Sequence, residues 1–67
     1  SINYKKRFLN QTLPVLVEDK SKSGFWQGYT DTYLRVLFKS NLELKNKLIP
    51  VKFKKIINDS IIAEEYQ

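Results

Sequence analysis

Trp26, Tyr33 and Arg35, set around Gly28 in the stretch Phe25-Trp26-Gln27-Gly28-Tyr29-Thr30-Asp31-Thr32-Tyr33-Leu34-Arg35, are the residues whose types and spacing offer chemistry. Aromatic faces stack on unpaired bases, and a guanidinium both stacks and contacts phosphate. A glycine among them lets a backbone come close. Thr30 joins the set by position, while Lys39, Lys52 and Lys54 are cations able to follow a phosphate backbone. The candidate RNA-binding residues are therefore Trp26, Gly28, Thr30, Tyr33, Arg35, Lys39, Lys52 and Lys54. Each has a plainer alternative: a lone Trp can plug the end of a small core, and Lys52, Lys54 and Lys55 can be the solvated face of a strand.

Other chemistries find little support. The chain has no Cys and no His, which removes disulfides, thiolate and imidazole metal ligands, Cys nucleophiles and His bases together. Glu64 and Glu65 are neighbours on opposite faces of a strand, Asp31 sits at a turn and Glu18 ends a strand, so no pair of carboxylates is set up for acid–base work. The serines have no His to activate them, and no Gly-rich phosphate loop is present. No catalytic residue is expected in this chain.

A hairpin must position the aromatic set. With Asp31 and Thr32 as its tip, Thr30 pairs with Tyr33, Gly28 with Arg35 and Trp26 with Leu37, and cross-strand partners share a face. Tyr29, Phe25, Leu34, Val36 and Phe38 then point inward, and Trp26 outward beside Arg35. Gln27 falls on the inward set, where an unpartnered amide costs about 1–3 kcal/mol. A bulge near Gly28 would instead turn Trp26 inward. We favour the first register, because the second buries Thr30 and Arg35 and exposes Val36 and Phe38.

The rest of the chain reads as further strands. Leu13, Val15 and Val17 alternate inward; Val51 and Phe53 alternate with Lys52 and Lys54; Ile61 and Ala63 form the inward pair of a last strand after an Asn58-Asp59-Ser60 turn. Lys39 to Lys47 is a polar connection, and Tyr4 to Asn10 suits the last turns of a helix, expected to fray. Five short strands point to an all-β fold, a small five-stranded antiparallel β-barrel, closed or nearly so. Its interior is filled by side chains, so ligands bind outside. At 67 residues it is one small monomeric domain that buries about 60% of its unfolded surface. With 12 Lys and Arg against 7 Asp and Glu, net charge +5, it is biased towards polyanions. No apolar run reaches the roughly 18 residues that span a bilayer, so we expect no membrane partner and a cytoplasmic location. The chain opens on Ser1 rather than Met, from which we expect a piece of something longer.

Val15-Leu16-Val17-Glu18, Gly28-Tyr29-Thr30-Asp31-Thr32-Tyr33-Leu34-Arg35-Val36 and Val51-Lys52-Phe53 resemble the strand sequences of a TRAM domain. The similarity is greatest to the C-terminal TRAM domain of bacterial radical-SAM tRNA methylthiotransferases, in particular the branch acting on threonylcarbamoyladenosine beside the anticodon. It covers roughly Asn10 to Glu65, and Trp26-x-Gly28-Tyr29-Thr30-Asp31-x-Tyr33 is its most specific part. The resemblance implies an OB- or SH3-like barrel at 10–67 that helps hold tRNA, with 1–9 as a linker or helix tail from a preceding catalytic domain. Iron–sulfur clusters and S-adenosylmethionine serve the parent enzyme elsewhere, and this segment holds no cofactor. Where the family's last strand usually has Gly, this chain has Ala63, which slightly tightens packing. A second reading is a basic SH3- or OB-like module that docks a protein, its own catalytic domain included, through the same aromatic face.

Overall fold

Apolar residues at every second position fold this chain into strands with one buried side. In the computed structural model, which describes residues 5–66, they are β1 (Thr12–Lys20), β2 (Phe25–Tyr29), β3 (Arg35–Lys39), β4 (Leu48–Ile57) and β5 (Ser60–Glu65). The strands close into a barrel in the order β1-β2-β3-β5-β4. Val15, Val17, Val36, Phe38, Val51, Phe53 and Ile61 fill it with no solvent contact, and Trp26, Leu34, Leu44 and Ala63 complete the core. Ala63 is paired to Phe38 on one side and Phe53 on the other.

Four of the five pairings are antiparallel, and β3 with β5 is parallel. Arithmetic requires such a pair. Directions cannot alternate all the way round a ring of five, so one seam must join strands that run the same way. The two prolines in strands cost little, because Pro14 and Pro50 face each other and neither lies at a position that donates across the β1–β4 ladder. The β4–β5 turn holds Asn58 and Asp59 at φ 48° and 69°, the backbone of a tight hairpin whose twist suits the strands.

The β2–β3 hairpin differs from the expected one. Tyr29 pairs with Arg35, Gly28 with Val36 and Trp26 with Phe38, so Thr30 to Leu34 form a five-residue connection instead of a two-residue tip. Tyr33 takes the surplus residue in the left-handed region at φ 64°. The odd loop shifts the frame by one, and Trp26, Val36 and Phe38 all point inward while Arg35 points out. The choice posed by the sequence was therefore incomplete, since β2 carries no bulge at Gly28. The irregularity sits in β1 at Glu18, between Val17 and Asp19. Phe25 and Tyr29, expected inside, are half-buried on the outer wall.

Two connecting segments contribute more than expected. Leu44, in the polar connection, is buried, and the chain beside it continues the β1 ladder, with Asn46 N donating to Val17 O and Val17 N to Lys47 O. Lys5 and Lys6 make a short helical turn, Phe8 packs against the core, and Asn10 N donates to Phe53 O at 2.7 Å. Lys5 Nζ pairs with Asp59 Oδ1 at 3.1 Å. These contacts tie the segment from Lys5 onward to the barrel, a partner that the sequence reading did not give it; Tyr4 lies outside the described residues.

Candidate nucleic-acid interface

Three of the residues proposed for RNA are inside the barrel. Trp26 is 3% exposed, its indole N–H has no protein partner, and the Lys20 ammonium lies 5.4 Å from its ring centroid as a lid. It packs where it was expected to stack. Gly28 faces inward too, and the backbone that comes close to it is that of β1. A Cβ there would meet Leu16 O at 2.5 Å and Val15 Cγ1 at 2.6 Å. Thr30 is 7% exposed, and its hydroxyl accepts from Leu34 N at 3.1 Å and pairs with the Thr32 hydroxyl at 3.0 Å. It shapes the loop from within.

Arg35, Lys39, Lys52 and Lys54 do face solvent. They lie on β3 and β4, the two strands that flank β5. Phe25 of β2 pairs with Lys39 of β3 and Glu64 of β5 pairs with Lys52 of β4, Lys39 and Glu64 each following the Phe38–Ala63 pair that joins β3 to β5. Gln27, Leu37, Ile62 and Lys55 form a row over β2, β3, β5 and β4. Lys54 is the extra residue of a bulge between Phe53 and Lys55, which re-aims its side chain relative to the strand. Arg35 lies at the far end of β3, its Nη2 donating to Gln27 Oε1 at 2.9 Å. The Lys39 ammonium sits 5.0 Å from the Phe25 ring centroid, within cation–π range. Glu64 and Glu65 share a shallow cleft with Phe25 and Lys39. Among the described residues no ion pair engages Lys39, Lys52, Lys54 or Lys55, so these cations remain open to an outside anion.

This wall can contact phosphates from its cationic margins and receive bases on Phe25 and the half-buried Leu37 and Ile62 between them. Sequence reasoning placed Phe25 and Gln27 on the inward face and so left them off this surface, whereas Lys55 was already grouped with Lys52 and Lys54. The alternation of Phe25 and Gln27 with Trp26 and Gly28 was visible, but its sense depended on how many residues the loop contained. Tyr33 stands apart from this wall, 84% exposed beside Leu16 and Leu48 on another face.

The family model of the TRAM domain matches residues 6–61. The chain belongs to the TRAM domain family. This TRAM domain is 36% identical over 58 residues, 87% of its length, to a tRNA-2-methylthio-N(6)-dimethylallyladenosine synthase of Aliarcobacter butzleri, of which it covers 13%. It is 48% identical over 46 residues, 69% of its length, to the protein of the same name from Chloroflexus aurantiacus, of which it covers 10%. It thus spans only a small part of these relatives' length. Among the described residues no cluster of three or more His, Cys, Asp or Glu could hold a metal ion, and no helix is long and apolar enough to cross a membrane.

Proposed function

We propose that this TRAM domain holds tRNA for a tRNA methylthiotransferase of which it is one part, gripping RNA on the outer wall of β2, β3, β5 and β4. Residues 10–67 form the grip and 1–9 lead to the rest of the enzyme, which works in the cytoplasm on the adenosine beside the anticodon. The observation that carries this reading is the wall itself: Arg35, Lys39, Lys52, Lys54 and Lys55 flank a partly apolar strip on a barrel of this family. Trp26, Gly28 and Thr30 act only through the fold. An iron–sulfur cluster is held by thiolates, and this chain has none. On this reading the thiolates that hold the clusters, and with them the site of S-adenosylmethionine, belong to other parts of the polypeptide.

The names of the two relatives favour a dimethylallyladenosine substrate over the threonylcarbamoyladenosine suggested by the strand sequences. Mass spectrometry of nucleosides from cells lacking the full-length protein distinguishes these two. RNA binding is tested by titrating an anticodon stem-loop at several salt concentrations. With about 3–5 phosphates engaged, log K falls with log salt at a slope near −2 to −4. Binding that ignores salt favours instead docking of a protein on the same wall. No binding by the domain or by the full-length protein would sink the proposal.

A further inference from the structure

Leu48, Leu16 and Tyr29 stand side by side across β4, β1 and β2, all on the outer wall. Leu48 is 66% and Leu16 49% exposed, and the 84% exposed Tyr33 closes the row from the β2–β3 loop. Together they line one groove, whose charged lining residues, Glu18 and Asp31, are both carboxylates. We infer that this groove docks another part of the same polypeptide, a segment that presents apolar side chains flanked by Lys or Arg. The inference rests on the reading that the domain belongs to a longer methylthiotransferase.

Charge chooses the class of occupant. The chain carries net charge +5, yet among the described residues that line this groove the two charged ones are both carboxylates, and the surface between them is aliphatic and aromatic. A polyanion is repelled from such a rim, whereas a cation-flanked apolar segment is matched to it. The conformation of Tyr33 points the same way. A bulky residue at φ 64° is strained, and the loop enforces it through Tyr33 N to Thr30 O at 3.0 Å, Thr30 N to Leu34 O at 3.1 Å and the Thr30 hydroxyl. At 84% exposure the ring buries little against the barrel. Contiguous apolar surface of this kind marks an interface. The domain covers 13% and 10% of its relatives, so in a polypeptide of that length most of the chain lies outside the barrel, and surface to cover the groove is at hand.

Hydroxyl-radical footprinting read by mass spectrometry tests this on the 67-residue chain and on the full-length polypeptide, each with and without an anticodon stem-loop RNA. The expected result is ready oxidation of Leu16, Tyr33 and Leu48 in the short chain and several-fold slower oxidation in the long one, with no effect of RNA. Leu48→Glu in the long polypeptide should restore oxidation of Tyr33. Equal labelling in both chains overturns the inference. So does protection that appears only with RNA, which makes the groove an RNA site, or protection of the short chain that grows with its concentration, which makes the occupant a second copy. Should RNA fail to protect Phe25 and Leu37 in either chain, the proposed RNA wall fails while the docking groove stands on its own result.

Discussion

Trp26 is the residue on which structure and sequence diverge most, and its environment turns that divergence into a measurement. With 3% exposure between the walls of a small barrel, Trp26→Ala should cost about 3–5 kcal/mol. In so small a domain that is a large share of the total stability, and thermal melting should find much of the protein unfolded at room temperature. An outward, base-stacking Trp would instead melt within about 1 kcal/mol of the parent. Gly28 is the second such residue. Because Leu16 O and Val15 Cγ1 occupy the place of its missing side chain, Gly28→Ala forces β1 and β2 apart and should cost about 1–3 kcal/mol, read as a lower urea midpoint. A clash with backbone has less room to relax than one with the tip of a side chain. The type of residue at both positions was informative, but the direction of the side chain was not contained in the type.

Among the elements, β1, β4 and β5 were legible because the alternation that names their buried pairs, Val15 and Val17, Val51 and Phe53, Ile61 and Ala63, is clear of the bulges at Glu18 and Lys54. The apolar face of β3 was legible too, with Val36 and Phe38 inward as expected, but β2 was not, since its face follows from that of β3 only through the loop, and one more loop residue inverts it. Nothing in Thr30-Asp31-Thr32-Tyr33 announces that a Tyr adopts a backbone usually left to Gly or Asn. That conformation costs roughly 1–2 kcal/mol for a residue with a Cβ. Tyr33→Gly should recover part of this, offset by the greater freedom of glycine in the unfolded chain, and so leave stability unchanged or raise it by up to about 1 kcal/mol. Chemical denaturation checks it. A marked loss of stability would show that the ring supports the barrel after all. Leu44 was missed for a related reason: Leu42 and Leu44 are the two apolar residues of a polar stretch, and nothing in their spacing says that Leu44 is buried while Leu42 is exposed.

At the scale of the whole molecule the charges are unevenly spread. The cations of the proposed RNA wall lie on β3 and β4 with Glu64 and Glu65 of β5 between them, whereas the two charged residues that line the groove over β1 and β4 are both carboxylates. Composition gave the sum, +5, but only the register distributes it, which is why Lys39, Lys52 and Lys54 were legible as candidates and their assembly into one surface with Phe25 was not. Removing one phosphate contact by Arg35→Ala should weaken RNA binding for all sequences alike and make the salt slope shallower by about 1. Its melting temperature should stay near that of the parent, because the guanidinium is exposed and, among the described residues, bonds to Gln27 alone. Fluorescence titration at graded salt, with a melt of the same sample, separates an electrostatic loss from a structural one.

The parallel seam between β3 and β5 completes the ring, and closure has a consequence for how this domain meets other molecules. An open sheet ends in strands with unpaired amides and carbonyls, a template on which another chain can extend the ladder. Among the described residues this ring has no terminal strand. Extended peptides cannot be recruited by adding to it, copies cannot zip together edge to edge, and a nucleic acid finds no ladder of free amides along its wall. Recognition is left to side chains, so affinity and specificity can be retuned one substitution at a time without disturbing the hydrogen bonds that close the barrel.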